Sequence, residues 1–203
     1  NMPVLSRFSR AVIGLDTSPH ALEYCRVRGW NTVGLIQEDG RLHFGDETAD
    51  LVTMFDILEH VPDERPLLGE IRRVLRPDGL LVITVPAFQF LWSEHDVALH
   101  HYRRYTRHNL TRLLTDEGLE IVSASYVITF SFPIIVLYRI LKGAVNLLHP
   151  HASKASYVRL PAGLNAFFTR ILAWESKLLA YVNFPFGTSV LVVATKPGPV
   201  HSV

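Results

Sequence analysis

"VIGLDTSPHALEYCRVRG", Val12 to Gly29, reads as a strand, a tight turn and a helix in immediate succession. The apolar run Val12 to Leu15 stops on Asp16. Ser18 then supplies an N-cap side chain, and Pro19 suits the first helical position, where its missing N–H costs nothing. Leu22 and Cys25 mark the inner face of the helix, and Gly29 ends it. An acid at the end of a parallel strand has two uses. It accepts hydrogen bonds from the ribose hydroxyls of an adenosine-containing ligand, or it caps the turn that opens the helix. The residues alone leave both open for Asp16.

Working outward, Thr32 to Ile36 is the next strand candidate and is followed by the polar stretch "QEDGRLHFGDETAD". Leu51 to Phe55 is a continuous apolar run, the pattern of a strand covered on both faces. Asp63 caps a helix in which Leu67, Leu68, Ile71, Val74 and Leu75 recur at helical spacing, "RPDG" (Arg76 to Gly79) predicts a turn, and Leu80 to Pro86 is another apolar strand. Alternating strands and helices of this kind pair in parallel through right-handed crossovers, so a doubly wound α/β sheet is expected. Beyond Pro86, Phe88 to Tyr105 is a long aromatic and histidine-rich loop. Thr106 to Glu117 reads as a helix and "LEIVSASYV" as a strand. The region from Phe130 to Tyr181 is mostly helical by pattern. Leu164, Phe167, Phe168, Ile171, Leu172, Leu178, Leu179 and Val182 form one stripe there, interrupted by Glu175. "GTSVLVVATKP" supplies the closing strand and "KPGPVHSV" a frayed tail.

The 20 basic and 19 acidic residues nearly cancel, leaving no general field to attract nucleic acid, so no nucleic-acid partner is expected. The single cysteine, Cys25, excludes an internal disulfide and suits a reducing compartment, with a cytoplasmic location as the default. The longest apolar stretch, "YVITFSFPIIVLY" from Tyr126, is broken by Pro133 and followed by Arg139. It falls short of the roughly 20 residues a membrane-spanning helix needs. It is a buried segment or one that lies against a membrane surface, which leaves peripheral membrane association as an expectation.

"VIGLDTSPHALEYCRVRG", "FDILEHVPD", "EIRRVLRPDGLLVITVPA" and "GTSVLVVATKP", in that order and spacing, resemble class I S-adenosylmethionine-dependent methyltransferases of the broad group with an "LEHV"-like turn after the fourth strand. The resemblance implies a Rossmann-like, mostly parallel sheet with an antiparallel C-terminal strand and a helical acceptor-side insertion at about residues 130–183. It implies S-adenosylmethionine as cofactor and methyl transfer to a small-molecule acceptor. The aromatic and apolar residues of the helical region, such as Phe130, Phe132, Tyr138 and Trp174, suit an apolar or lipid-linked acceptor, and core packing accounts for them equally well. The resemblance assigns Asp16, with Thr17, to the ribose, Glu38 and Asp39 to the adenine, and Phe55, Asp56 and Leu58 to the methionine side. It places His60 near the reacting methyl group. The family's first strand and glycine-rich loop would precede Asn1, so a single N-terminally truncated domain over residues 1–203 is expected.

Methyl transfer from a sulfonium needs alignment and water exclusion more than chemical activation. A hydroxyl or protonated amine acceptor also needs a proton acceptor. "LWSEHDVALHHYRRYTRHNL" concentrates the candidates. Trp92, Asp96, Tyr102, Arg103, Arg104 and Tyr105 form an acceptor wall, and His95 and His101 join His60 as proton acceptors. The alternative is a solvated loop anchored by its aromatics. His95, His100 and His101 lack a recognised ligand spacing, so no metal site is expected. Two rival functions share the pattern: a non-catalytic binding or scaffold protein of methyltransferase-like fold, and a nicotinamide-dependent dehydrogenase, whose ribose Asp16 would also suit.

Overall fold

The computed structural model describes residues 2–36, 40–139 and 161–198. Two compact units divide the chain, Asn1–Gly45 and Asp46–Val203.

In the first unit a short helix α1 (Met2–Leu5) precedes β1 (Gly14–Asp16), which pairs in parallel with β2 (Val33–Leu35). Helix α2 (Pro19–Val27) makes the crossover between them. Its start is the one the sequence predicts: Ser18 is the N-cap, its Oγ accepting the Ala21 N–H at 3.4 Å, and Pro19 follows. Leu22 is buried, while Cys25 on the same face is half-buried. Gly29 ends the helix in the left-handed region at φ 85°, where a side chain would be strained.

The second unit holds a four-stranded sheet in the order β3 (Ala49–Phe55), β4 (Leu75–Pro86), β6 (Ser189–Thr195), β5 (Glu120–Val127). β3 and β4 are parallel, with α3 (Glu64–Val74) as their crossover. β6 runs antiparallel to both of its neighbours. The fold is therefore Rossmann-like α/β, with the antiparallel strand expected near the C-terminus. The core is built from one face of each central strand. Leu81, Ile83 and Val85 of β4 and Val190, Val192 and Ala194 of β6 are fully buried, with Leu68 and Ile71 of α3 and Leu110 and Leu114 of α5 (Arg107–Asp116) packed in the same core. Each such aliphatic side chain contributes about 1.5–3 kcal/mol of burial.

Of three expectations, the first and third change in detail and the second is described only in part. "RPDG" is not a free turn between helix and strand: β4 begins at Leu75, and the register jumps from Ala49 opposite Leu75 to Leu51 opposite Leu80. Arg76 to Gly79 is a bulge held inside the ladder, because the Asp78 N–H donates to Lys196 O at 2.8 Å and the Lys196 N–H to Gly79 O at 3.0 Å. Asp78 takes φ 61° there. Second, the helical region contains α6 (residues 132–139) and α7 (Ala162–Leu178), while residues 140–160 and the expected tail from 199 lie outside the described residues. Third, the apolar stripe of α7 is not a core face. Phe167 is 56% exposed and Leu164 42%, whereas Glu175, which interrupts the stripe, is buried at 2%.

Glu175 is buried for its hydrogen bonds. Its carboxylate accepts the Thr129 N–H at 2.9 Å and the Phe130 N–H at 3.1 Å, at the point where the chain leaves β5 for α6. Ile128, immediately before, sits at φ 61°, an unusual place for a β-branched residue, and this turn presents both N–H groups to the carboxylate. Leaving buried donors unpaired costs about 1–3 kcal/mol each. Glu175→Ala is expected to lower unfolding stability by about 2–3 kcal/mol, measured as a reduced urea midpoint at unchanged slope.

Candidate functional site

In the first unit β1 ends on Asp16, half-buried, whose Oδ1 accepts the Ser18 N–H at 2.8 Å. Asp16 thus closes the turn that starts α2. The capping role weighed from the sequence is present, and it occupies Oδ1. Thr17 is exposed beside it. Glu38 and Asp39 lie outside the described residues.

In the second unit a pocket of about 270 Å³ opens at the C-terminal ends of the parallel strands β3 and β4, the end at which α/β sheets bind ligands. Asp56 lines it directly after β3, held at φ 53°, with its Oδ1 accepting from Thr84 Oγ1 at 3.3 Å. The next residues form a 3-10 turn, Leu58–His60, that buries Leu58 and Glu59 completely and leaves His60 exposed. His60, His95 and His101, the three histidines expected as proton acceptors, all line this pocket together with Glu59, Arg104 and Arg139.

The loop after β4 is folded back onto this end of the sheet by its backbone. Tyr105 N–H donates to Pro86 O at 2.9 Å, Phe88 N–H to Tyr105 O at 2.8 Å, and Tyr102 N–H to Glu59 O at 2.8 Å. Its short helix α4 (Glu94–Ala98) carries Asp96, fully buried. The Asp96 carboxylate accepts the Ser93 N–H at 2.8 Å, the Arg104 Nε–H at 2.7 Å and the His101 Nδ1–H at 3.0 Å, with the Arg139 guanidinium 3.7 Å away. Burial pushes the Asp96 carboxyl up, but the hydrogen bond and charge of Arg104, with His101 and Ser93, outweigh it and hold the group below the ordinary carboxylate value. An ionised Asp96 fixes the proton of neutral His101 on Nδ1, so Nε2 keeps a free lone pair.

Glu59 is in the opposite condition. Neither carboxylate oxygen has a hydrogen-bond partner on another residue among those described. Burial pushes its carboxyl up to about 7, with repulsion from Asp56 and Asp96 adding to the shift and its own backbone N–H and the Arg104 charge opposing it. Partial desolvation of its ring and the neighbouring His101, whose ring lies 4.6 Å away in an edge-on arrangement, hold His60 below its usual value. The ligand atoms of Glu59, His60 and His101 all lie within 4.8 Å of one another, and this trio can hold a divalent cation.

The remaining sequence candidates take other places. Tyr105 is buried, donating to Glu64 at 3.1 Å, and Arg103 pairs with Glu64 and donates to Pro62 O, so both brace the wall from behind. Tyr102 is 56% exposed, while Trp92 and Phe55 are half-buried. None of these lines the pocket; Asp96 supports it through His101 and Arg104. Glu59, Arg139, Thr188 and Ser189 line it without having been singled out from the sequence. Glu59 had a signal: it is the acid of "LEHV", the turn that directly follows a strand end at the ligand-binding edge of the sheet.

Residues 1–83 match the family described as "Methyltransferase domain". The chain is 32% identical over 133 residues, 63% of its length, to an uncharacterized 37.1 kDa protein in a transposon of Streptomyces fradiae, covering 38% of that protein. It is 29% identical over 121 residues to a probable S-adenosylmethionine-dependent methyltransferase of Mycolicibacterium smegmatis, 58% of this chain and 47% of the relative. The chain thus spans less than half of these curated relatives. A solved S-adenosylmethionine-dependent methyltransferase from Archaeoglobus fulgidus shares the fold at TM-score 0.58, with 14% identity over 96% of this chain and 80% of that one.

Two outcomes follow from the buried carboxylates. A group whose folded pKa is raised holds its proton in the folded state after the unfolded chain has lost it, so stability falls as pH rises from the unfolded value to the folded one. For Glu59 that window is about 4.5 to 7. In chelator-containing buffer, urea denaturation of Glu59→Gln is expected to lack this decline and, above pH 7, to exceed the parent by up to about 3 kcal/mol. Asp96→Ala strands the Arg104 guanidinium, whose side chain is only 5% exposed. The expected loss is about 3–5 kcal/mol by the same measurement.

Proposed function

We propose that the chain, whose residues 1–83 match a methyltransferase-domain family, is a class I S-adenosylmethionine-dependent methyltransferase that transfers the cofactor's methyl group to a hydroxyl-bearing small molecule bound in the Glu59–His101 pocket. The observation that carries this reading is the meeting of an unpaired buried carboxylate and two imidazoles at the C-terminal end of parallel strands. An acceptor hydroxyl must lose a proton as the methyl group arrives, and these three groups, with His95 in the same lining, are available to take up or disperse that charge. Arg139 and Arg104 add positive charge at the same wall and orient an anionic or polar acceptor. Asp16 takes the ribose hydroxyls of the cofactor through the oxygen not committed to Ser18, and its turn role pre-sets that oxygen rather than competing with it.

An apolar cavity of about 440 Å³ is lined by Phe132, Pro133, Val136, Leu137 and Phe186, whereas Ile135 and Arg139 of α6 line the Glu59–His101 pocket. It supports an acceptor with an apolar portion. Contact with a membrane surface is a second reading, favoured by exposed Ile134, Leu137 and Tyr138 on that helix. No helix among the described residues is long and apolar enough to cross a membrane. Vesicle co-sedimentation that is lost on Leu137→Asp would support surface contact.

Calorimetric titration with S-adenosylhomocysteine tests the cofactor assignment. Saturable binding is expected, with none of NADH. Asp16→Ala is expected to weaken it by about 1.5–3 kcal/mol through loss of a charge-assisted hydrogen bond. A folded chain that binds neither ligand would overturn methyl transfer and favour the scaffold reading; binding of NADH alone would favour the dehydrogenase.

A further inference from the structure

The same pocket holds more than a set of independent bases. Glu59 is fully buried with both oxygens unpartnered on other residues, and an isolated ionised carboxylate in that position is costly unless a cation compensates it. His101 is prepared as a ligand: Asp96 holds its Nδ1–H, which leaves the Nε2 lone pair free to bind a cation, and Asp96 is itself fixed by Arg104 and Ser93. His60 stands edge-on to the His101 imidazole, with ring centroids 4.6 Å apart. A carboxylate behind an imidazole, as Asp96 stands behind His101, is the arrangement that orients metal-binding histidines. The charges facing the trio do not forbid a cation, since Asp56, Glu59 and Asp96 oppose the two guanidinium groups of Arg104 and Arg139.

We propose that Glu59, His60 and His101 together bind one divalent transition-metal ion, with its open coordination positions facing the pocket and taking an oxygen donor of the ligand bound there. Two imidazoles and one carboxylate with free positions suit zinc, manganese or ferrous ions better than calcium or magnesium, which prefer all-oxygen shells. The role of the ion in catalysis rests on the methyl-transfer reading; its binding does not. On that reading the ion lowers the pKa of the acceptor hydroxyl, whose proton passes to water. The oxygen then attacks the methyl carbon: a C–O bond forms, the C–S bond breaks, and sulfur leaves with the electron pair as a neutral thioether.

The test uses the full chain, dialysed against chelator and then titrated with cobalt(II) chloride and zinc chloride. The expected result is saturable binding of one equivalent, with visible cobalt absorption typical of nitrogen and oxygen ligation and a metal-dependent rise in Tm. Glu59→Gln, close in shape to the parent, and His101→Ala are each expected to weaken binding by at least about 10- to 100-fold and to lose the cobalt band. His95→Ala, which alters a pocket histidine outside the trio, is expected to retain both. Circular dichroism reports whether each variant is folded, and the absence of a metal-dependent Tm rise in folded Glu59→Gln stands as evidence without the other variants. No saturable binding by the parent would overturn the proposal. So would loss of the band in His95→Ala with retention in His101→Ala. S-adenosylhomocysteine titration of the same samples separates the two readings: cofactor binding without metal binding overturns the ion site alone, and metal binding without cofactor binding overturns methyl transfer alone.

Discussion

The buried carboxylate of Asp96 is the interaction on which the candidate site depends. It is fully desolvated, and it stays ionised because Arg104, His101 and Ser93 converge on it. Arg104, His101 and the nearby Arg139 each do something else as well. Arg104 donates to Ala87 O at 2.9 Å and so ties the loop to the end of β4; His101 carries its imidazole to Glu59 and His60; Arg139 brings in α6. A buried ion pair contributes little net stability compared with well-packed apolar residues, because desolvation consumes most of its attraction. What it supplies here is geometry: one tautomer, one loop path and one helix contact, all set by a single side chain.

The conformations next to the pocket bear the cost of that geometry. Asp56 and Phe88, the residues that lead out of β3 and β4, are both held at positive φ, and His100 is as well. Such positions are unfavourable for residues other than glycine, by about 1–3 kcal/mol where the surroundings must enforce them. They cluster where the strands end and the loops must turn sharply to bring side chains to one cavity. The core below, Leu81, Ile83 and Val85 against Val190 and Val192, supplies the rigidity that makes this strain sustainable.

Much of the fold was legible because local chemistry and tertiary role agree. Ser18-Pro19, Gly29 and the Leu80 to Pro86 run each say one thing, and the structure uses them that way. The convergence of His60, His95 and His101 was partly legible, because the order of strands places the two segments that carry them at one sheet end. The rest depended on partners distant in sequence. Arg76 to Gly79 reads as a turn until the backbone of Lys196 arrives to pair with it. Glu175 reads as a flaw in an apolar stripe until Thr129 and Phe130 supply donors that only a carboxylate satisfies. Tyr105 and Arg103 have the composition of a binding wall, and Glu64 draws both of them inward. A polar side chain's role is set by what it meets, and a single sequence does not state those meetings.

The place of β6 between β4 and β5 bears on how the chain is made. β4 and β5 never pair with each other; β4 has β3 on one edge, but its other edge and the paired edge of β5 are filled only by a strand that follows both, with Leu80 opposite Thr195 and Glu120 opposite the same residue. During synthesis the ribosome releases β4 and β5 with these edges open, and the helical region must emerge before the strand that closes them. Such distant pairings are slow to form, because the loop entropy is lost before the contacts compensate it. Until then the apolar faces of β4 and β5 are the segments that chaperones would shield and that a stalled nascent chain would present to aggregation.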